Sequence, residues 1–267
     1  MAEILFSETL QTLRQQSISR QRRHFLEQLL FSTPSAPSET FERRGKALGV
    51  FLRRIRAVGV LSMAAELQDA NTAAFYDTLL SILRTHLGDT ILLNHLYLGQ
   101  KLILFLGADI QPYLLTQVNK ALHAAQAAGH MPCCGLAGGC ESYTQLNRIY
   151  AQADKALEVA LSTNTGQVCV YDDLVLELLL APLSQESRSA FLERIWGGTK
   201  SSMDEMLDFL EIYFACNGSV QAISQKLFIH KNTVQYKIKK IADATGYDPR
   251  RLTDAVLLYL CVKLRKA

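Results

Sequence analysis

The segment from Asn217 to Gly246, NGSVQAISQKLFIHKNTVQYKIKKIADATG, constrains the fold of this chain more than any other segment does. Asn217 and Gly218 are suited to end one helix, and Ser219 is suited to cap the next by accepting a hydrogen bond from a free backbone N–H. Apolar residues then recur at the inward positions of two helices joined by a short turn, with small Ser224 where the helices must come close. These inward positions are Ile223, Leu227, Ile229 and Val234. The segment therefore predicts a helix-turn-helix.

The second helix of this motif separates an apolar face from a polar one when its residues are placed at 100° intervals. The face predicted to pack on the preceding helices consists of Val234, Ile238 and Ile241. The opposite face carries Asn232, Tyr236, Lys239 and Lys240, flanked by Thr233 and Gln235. Five Lys and no Asp or Glu lie between Lys226 and Ile241, which is a local charge of +5 in a chain whose net charge is +3.

This polar face predicts double-stranded DNA as the partner, because lysines that neutralise phosphates release counterions and Asn or Gln can hydrogen-bond to base edges. The alternative is a solvated lysine face on an ordinary helix. The turn, the apolar spacing and the absence of acids coincide, which favours DNA. The predicted DNA-binding residues are Lys231, Asn232, Thr233, Gln235, Tyr236, Lys237, Lys239 and Lys240. Since one helix-turn-helix discriminates little between sequences, we expect a homodimer or higher homo-oligomer on two half-sites.

Composition and charge argue against a membrane-spanning protein, an exported protein and a disulfide-stabilised protein. No apolar run approaches the roughly 20 residues of a membrane span, and charged residues interrupt the first 30 residues throughout, so we expect a cytoplasmic protein without a membrane partner. Six cysteines at irregular spacing favour reduced thiols over a disulfide framework. Residues 1–202 hold 18 basic and 18 acidic residues, whereas residues 203–267 hold 10 and 7, so the basic excess belongs to the C-terminal part.

Residues 55–175 alternate strand and helix patterns in the order β-α-β-β-α-β-α-β, which predicts an α/β sandwich with helices over one sheet. The middle strands are separated by a Leu98-Gly99 turn, so they should form an antiparallel hairpin, whereas strands joined through helices should be parallel neighbours. Residues 1 to about 31 predict a helix followed by a proline-containing linker. We interpret the arginines of that helix as a solvated face rather than an anion site. They are Arg14, Arg20, Arg22 and Arg23.

The cluster His130, Cys133, Cys134 and Cys140 contains residue types that bind zinc. Adjacent cysteines in a strand point to opposite faces of the sheet, however, so both rarely reach one ion. We interpret them as small apolar side chains in a buried strand and predict neither a metal nor a cofactor. The nearby glycines lack the spacing and the lysine of a phosphate-binding loop.

Two runs resemble a known family. The first, NGSVQAISQKLFIHKNTVQYKIKKIADATGYDPR followed by DAVLLYLCVKL, is similar to the C-terminal DNA-binding domain of the PucR/CdaR family of bacterial transcriptional regulators. The family pattern L-x-x-H-x-N-T-x-x-Y-[RK]-[LI]-x-[KR]-I is met by Leu227, His230, Asn232, Thr233, Tyr236, Lys237, Ile238, Lys240 and Ile241. The chain departs from the family at Ile223-Ser224, where Thr-Ala is commoner, and at Lys237, where Arg is commoner. Lysine does not reproduce the bidentate contact of arginine.

The second run, GLAGGCESYTQLNRIYAQADKALEVA at 135–160, resembles the degenerate cyclase-like (GGDEF-like) domain in the middle of the same family. In active cyclases of the domain that this run resembles, the central hairpin carries acidic residues. The hairpin turn of this chain is Tyr97-Leu98-Gly99-Gln100, which has no carboxylate. Because metal-assisted phosphoryl chemistry requires carboxylates, we expect no enzymatic activity. Two alternatives stay open: a nucleotide-binding or cyclase-like signalling protein with an accessory DNA-binding domain, and a central domain that senses a nucleotide or small acid.

These observations predict an α+β multidomain chain, with a degenerate cyclase-like α/β sandwich followed by an all-α helix-turn-helix domain. The expected divisions are a helical N-terminal segment and linker at 1–45, the GGDEF-like domain at 46–175, and a helical connector with the DNA-binding domain at 176–267. The function implied is sequence-specific transcriptional regulation. The resemblance adds a small-molecule effector and the catabolism of sugar diacids or related small acids. The family's sensory domain is not expected within these residues.

Overall fold

The computed structural model describes residues 2–63, 72–127, 131–162, 168–180, 182–197 and 200–266. The chain divides into two compact units, residues 1–175 and residues 176–267. The first combines helices with a five-stranded sheet, and the described part of the second is helical. The predicted α+β multidomain fold class is therefore confirmed.

The first unit follows the predicted alternation of strands and helices. Its elements are α1 (Ala2–Phe31), α2 (Glu39–Ala47), β1 (Ala57–Met63), α3 (Thr72–Ile91), β2 (Leu92–Leu98), β3 (Lys101–Leu106), α4 (Pro112–Ala127), β4 (Pro132–Ala137), α5 (Leu146–Ser162) and β5 (Val168–Val170). Single 3-10 turns lie at Leu52–Arg54, Tyr143–Gln145 and Tyr171–Asp173. The linker between α1 and α2 is non-helical, and it ends at Ser38, whose hydroxyl accepts from the N–H of Phe41.

The five strands form one mixed sheet in the order β2-β3-β1-β4-β5. The predicted hairpin is present, with Leu98 paired to Lys101 across the turn. Strands β4 and β5 are parallel, as expected, but β1 runs antiparallel to both of its neighbours, β3 and β4. The prediction that strands joined through a helix are neighbours in the sheet was therefore wrong for two pairs. β3 lies between β1 and β2, and β1 lies between β3 and β4.

The central position of β1 explains its composition. All seven of its residues are buried, as in strands covered on both faces, which read as near-continuous apolar runs. Val58 and Val60 face the core shared with α1, α2 and α5, while Ala57 and Leu61 face the core shared with α3 and α4. The apolar end of α1 belongs to the first of these cores, so residues 1–45 and residues 46–175 share one hydrophobic interior. The residues concerned are Phe25, Leu26, Leu29 and Leu30.

The cysteines of β4 lie on opposite sides of the sheet. Cys133 is buried in the core beside α5, whereas Cys134 is buried in the core beside α3 and α4. Burial raises the pKa of the Cys134 thiol, and it raises the pKa of Cys140 to about 11. The predicted opposite orientation of the adjacent cysteines is confirmed, while His130 lies outside the described residues. Within the described ranges no three His, Cys, Asp or Glu side chains are grouped to hold a metal ion.

The second unit consists of α6 (Leu176–Leu180), α7 (Gln185–Trp196), α8 (Lys200–Ala215), α9 (Val220–Leu227), α10 (Lys231–Thr245) and α11 (Leu252–Lys266). Its core collects the apolar sides of α7 to α11 around Leu207, Leu210, Ile223 and Leu258. The single tryptophan, Trp196, is part of this core. Across the described residues of both units, no helix combines the length and the apolar character needed to cross a membrane.

Gly135 is required where α5 crosses β4. A Cβ atom at this position would lie 2.1 Å from the carbonyl oxygen of Ala153 and 2.2 Å from the backbone nitrogen of Leu157. We expect Gly135→Ala to lower the free energy of unfolding of the first unit by about 3 kcal/mol or more, because rigid backbone must move to admit the methyl group. Urea denaturation followed by far-ultraviolet circular dichroism measures the loss, and Trp196 fluorescence reports the second unit separately.

Gly99→Ala is the matched control. Gly99 has φ +57°, and apart from Gly99 itself and its two chain neighbours no atom of the described residues lies within 4 Å of the place that a Cβ atom would take. Its substitution therefore meets only backbone strain of about 1 kcal/mol. A Gly135→Ala variant that unfolds at the same urea concentration as Gly99→Ala would contradict the close approach of α5 to β4.

Candidate nucleic-acid interface

The motif predicted from Asn217 to Gly246 begins with the expected reversal after α8. Asn217 and Gly218 have φ values of +50° and +70°, and the Gly218 N–H donates to the carbonyl of Tyr213 at 2.9 Å. Ser219 then caps α9, with its hydroxyl oxygen accepting from the N–H of Ala222 at 3.3 Å. The predicted helix stop and N-cap are therefore both confirmed.

The turn between α9 and α10 is held by hydrogen bonds on both sides. The Ser224 hydroxyl donates to the carbonyl of Ile229 at 2.6 Å, and the Ile229 N–H donates back to the Ser224 carbonyl at 3.1 Å. His230 caps α10, because its Nδ1 accepts from the N–H of Asn232 at 3.2 Å. Ser224 thus contributes a hydrogen bond to the turn in addition to its small size.

The inner face of α10 is packed as predicted. Val234, Ile238 and Ile241 are buried in the core of the second unit together with Ile223 of α9. At the far end, Gly246 adopts φ +77° and its N–H donates to the carbonyl of Ala242, which ends the helix. A helix buried along this stripe has no freedom to rotate about its axis, so the polar side chains opposite the stripe are presented to solvent.

The outer face of α10 is a continuous exposed surface. Tyr236 is 66% exposed although it is a large aromatic residue. Seven of the eight predicted DNA-binding residues are exposed, and they are Lys231, Asn232, Thr233, Gln235, Tyr236, Lys239 and Lys240. We call these seven residues the α10 outer face. It combines three ammonium groups with amide, hydroxyl and phenol groups that donate hydrogen bonds, and it contains no carboxylate.

Lys237, the eighth predicted residue, lies apart from the others. Its ammonium group is 2.7 Å from a carboxylate oxygen of Glu205 on α8 and 5.9 Å from the ring centroid of Phe209. The hydrogen bond from Lys237 lowers the pKa of Glu205. No local sequence pattern predicts this ion pair, because the two residues are 32 positions apart in the chain.

The hairpin turn of the first unit accepts hydrogen bonds from other elements of the same unit. The carbonyl oxygen of Gln100, in the turn, accepts from the Ser62 hydroxyl at 3.0 Å and also from the Tyr76 hydroxyl. Close by, the Tyr97 hydroxyl donates to a carboxylate oxygen of Asp77 at 3.0 Å. The backbone carbonyl of the turn is therefore bound by hydroxyl groups of β1 and α3, and residues 97–100 include no carboxylate that could bind a metal ion.

The second unit has the geometry of a helix-turn-helix domain, and the chain matches two known domain families. Residues 206–264 match the PucR C-terminal helix-turn-helix domain, and residues 33–159 match the GGDEF-like domain. The chain therefore contains a GGDEF-like domain followed by a PucR-type helix-turn-helix, the two kinds of domain that the resemblance to the PucR/CdaR family implies. This confirms the resemblance seen in the sequence.

The relatives that match parts of the chain include two named regulators. The proline-responsive transcriptional activator PutR of Bacillus subtilis is 29% identical over 129 residues, which are 46% of this chain and 31% of PutR. The carbohydrate diacid regulator of Escherichia coli is 33% identical over 96 residues, which are 35% of this chain and 25% of that protein. An uncharacterized protein of Mycobacterium tuberculosis is 43% identical over 53 residues, which are 20% of this chain and 13% of that protein.

The chain thus spans about a third or less of each of these relatives. A crystal structure of a regulator of polyketide synthase expression from Bifidobacterium adolescentis is 18% identical and aligns over 92% of this chain and 97% of that one. The TM-score of this alignment is 0.38.

Phe228, in the turn of the motif, has φ +54° and a side chain that is 95% exposed. We expect Phe228→Gly to raise the free energy of unfolding of the second unit by about 0.5 to 1 kcal/mol, because relief of left-handed strain outweighs the entropy lost by glycine. Urea denaturation followed by Trp196 fluorescence measures the change. Phe228→Ala removes the ring but keeps the strain, and it should remain within about 0.5 kcal/mol of the parent. If Phe228→Gly were less stable than Phe228→Ala, the left-handed backbone at position 228 would not be strained.

Proposed function

We propose that this chain is a sequence-specific, DNA-binding transcriptional regulator of the PucR/CdaR type, in which α10 enters the major groove. The observation that supports this most directly is the α10 outer face, which is exposed, cationic and without acids on a helix whose opposite side is fully packed. A helix of this kind at the second position of a helix-turn-helix is the element that reads base edges. The named relatives PutR and the carbohydrate diacid regulator are regulators.

The residues of the α10 outer face divide into two roles. Asn232, Gln235 and Tyr236 carry the groups that hydrogen-bond to bases or phosphates, so they are proposed to contribute sequence preference. Lys231, Lys239 and Lys240 are proposed to neutralise phosphates. Thr233, near the start of the helix, adds a hydroxyl for a phosphate oxygen. Lys237 is proposed to contribute less than the other lysines, because Glu205 already neutralises it.

The remaining properties follow from this function. We propose a homodimer or higher homo-oligomer on two half-sites, because a single motif contacts few base pairs. We propose the division into residues 1–45, 46–175 and 176–267, a cytoplasmic location with the DNA, and control by a small-molecule effector. A non-enzymatic role for the GGDEF-like domain is supported by its hairpin, where Gln100 binds hydroxyl groups and the turn carries no carboxylate. Catabolism of sugar diacids or related small acids is proposed as the pathway.

The combined substitution Tyr236→Ala and Lys240→Ala tests the DNA-binding face. We expect it to weaken binding to a DNA duplex by at least about tenfold and to reduce the slope of log K against log salt concentration by about one, because one phosphate contact is lost. Fluorescence anisotropy of a labelled duplex, titrated at several salt concentrations, measures both quantities.

The matched control is Tyr113→Ala with Lys120→Ala on α4. Tyr113 is 64% exposed, close to the 66% of Tyr236, and the same two residue types are removed. The control should bind DNA like the parent. If both double variants bind equally well and both are folded, the α10 outer face is not the DNA-binding surface.

The ion pair between Lys237 and Glu205 predicts a variant that binds DNA more tightly. Glu205→Gln frees the ammonium group of Lys237 and removes a carboxylate next to the α10 outer face. We expect about two- to fivefold higher affinity, which corresponds to the energy of an exposed ion pair, together with a steeper salt dependence.

Asp208→Asn is the control for net charge. Asp208 lies one turn further along α8, has a side chain 67% exposed against 64% for Glu205, and pairs with Arg265 at 2.7 Å. Equal gains in the two variants would show that net charge, and not the release of Lys237, determines the affinity.

A further inference from the structure

Residues 20–56 of the first unit carry a concentration of positive charge that the proposed DNA-binding surface does not use. This stretch contains nine basic and three acidic residues, an excess of six positive charges in a chain whose net charge is +3. The basic residues are Arg20, Arg22, Arg23, Arg43, Arg44, Lys46, Arg53, Arg54 and Arg56, and the acidic ones are Glu27, Glu39 and Glu42.

Several of these cations have structural roles. The Arg22 guanidinium donates to the carbonyl of Leu48 at 2.7 Å, which ties α1 to the end of α2. Arg44 donates to Gln28 at 3.1 Å and lies over the ring of Phe25. Arg23 pairs with Glu27 at 3.0 Å, and Arg53 pairs with Glu42 at 2.9 Å.

The Arg56 guanidinium donates to the carbonyl of Cys140 at 3.4 Å, and Arg20 is exposed on α1. The other three cations are Arg43, Lys46 and Arg54. All three are exposed, and none has a hydrogen-bond or ion-pair partner among the residues that the structure describes. All three line the same open cleft, between α2 and residues 50–54, which has a volume of about 440 Å³. This volume lies within the usual range of small-molecule sites.

The two walls of the cleft differ in chemistry. The α2 wall consists of Glu39, Glu42, Arg43 and Lys46, which are spaced i, i+3, i+4 and i+7 and therefore share one helix face. The other wall adds two arginines to an apolar strip made of Val50, Phe51 and Leu52, in which the Phe51 ring is half-exposed. The cleft thus offers cations for an anion and apolar surface for the body of a ligand.

The backbone between the walls is fixed. The Val50 N–H donates to the carbonyl of Gly45 at 2.8 Å, and Gly49 makes the reversal with φ +75°. Gly45 itself packs so closely on Phe25 that an added Cβ would lie 3.1 Å from the ring. Since this backbone is held by the core, the cleft is formed before a ligand binds, which lowers the entropic cost of binding.

We infer that this cleft binds a small organic polyanion, whose phosphate or carboxylate groups lie on Arg43, Lys46 and Arg54. Guanidinium groups bind either anion through paired hydrogen bonds, and the lysine adds a point charge. The ligand body packs on Phe51, and the Glu39 carboxylate accepts from a hydroxyl or amino group of the ligand. Glu39 and Glu42 also favour a small ligand over DNA, because carboxylates within the cleft repel a continuous phosphate backbone.

The test is isothermal titration calorimetry of the full chain with two probes, ATP for phosphates and citrate for carboxylates. The variant Lys46→Ala with Arg54→Ala removes one cation from each wall. Its control, Arg84→Ala with Lys120→Ala, removes one arginine and one lysine from α3 and α4, which pack on the other face of the sheet. We expect saturable binding of at least one probe by the parent and by the control, with at least a tenfold loss in the cleft variant.

The probe that binds identifies the anionic group. Equal losses in the two double variants would overturn the inference, since the effect would then be general electrostatics, and so would a parent that binds neither probe. A cleft variant that loses affinity for a DNA duplex, while the parent binds neither ATP nor citrate, would assign the cleft to DNA instead. The inference does not depend on α10, because variants of the α10 outer face should leave probe binding unchanged.

Discussion

The burial of Val234, Ile238 and Ile241 is the constraint on which the second unit depends. These three side chains set the rotation of α10 about its axis, and the turn between Ser224 and Ile229 sets where the helix begins. Once both are fixed, the polar side chains of α10 lie on the opposite, solvent-exposed face of the helix. A packing requirement that any small helical domain would share thus produces the one surface on which the proposed activity depends.

The α10 outer face also shows how tertiary contacts adjust a pattern written in sequence. The run from Lys226 to Ile241 contains no acid, yet Glu205 of α8 approaches Lys237 and neutralises it. The surface proposed to bind DNA therefore offers fewer unpaired lysines than the number of lysines in the run implies. In the first unit, several cations of residues 20–56 bind other groups of the protein, whereas Arg43, Lys46 and Arg54 have no partner among the described residues and line one cleft.

Much of the fold could be predicted because its signals are local. The strands, the hairpin at Gly99, the helix stop at Asn217-Gly218 and the cap at Ser219 each follow from a few adjacent residues whose conformational preferences agree with one another. The strand order could not be predicted in the same way. The pairing of β1 with β3 and β4 depends on which apolar strand is covered on both faces, and several strands of this chain are apolar enough to compete for the central place.

The amino-acid sequence alone is enough to predict the two kinds of domain, the helix-turn-helix and seven exposed residues of its second helix, because periodicity and capping act within a few turns of chain. The central place of β1, the pairing of Lys237 with Glu205 and the cleft that Arg43, Lys46 and Arg54 line are set by tertiary packing. These depend on distances between residues far apart in the chain, or on which cations the fold has already paired, and such distances exist only after the core has packed.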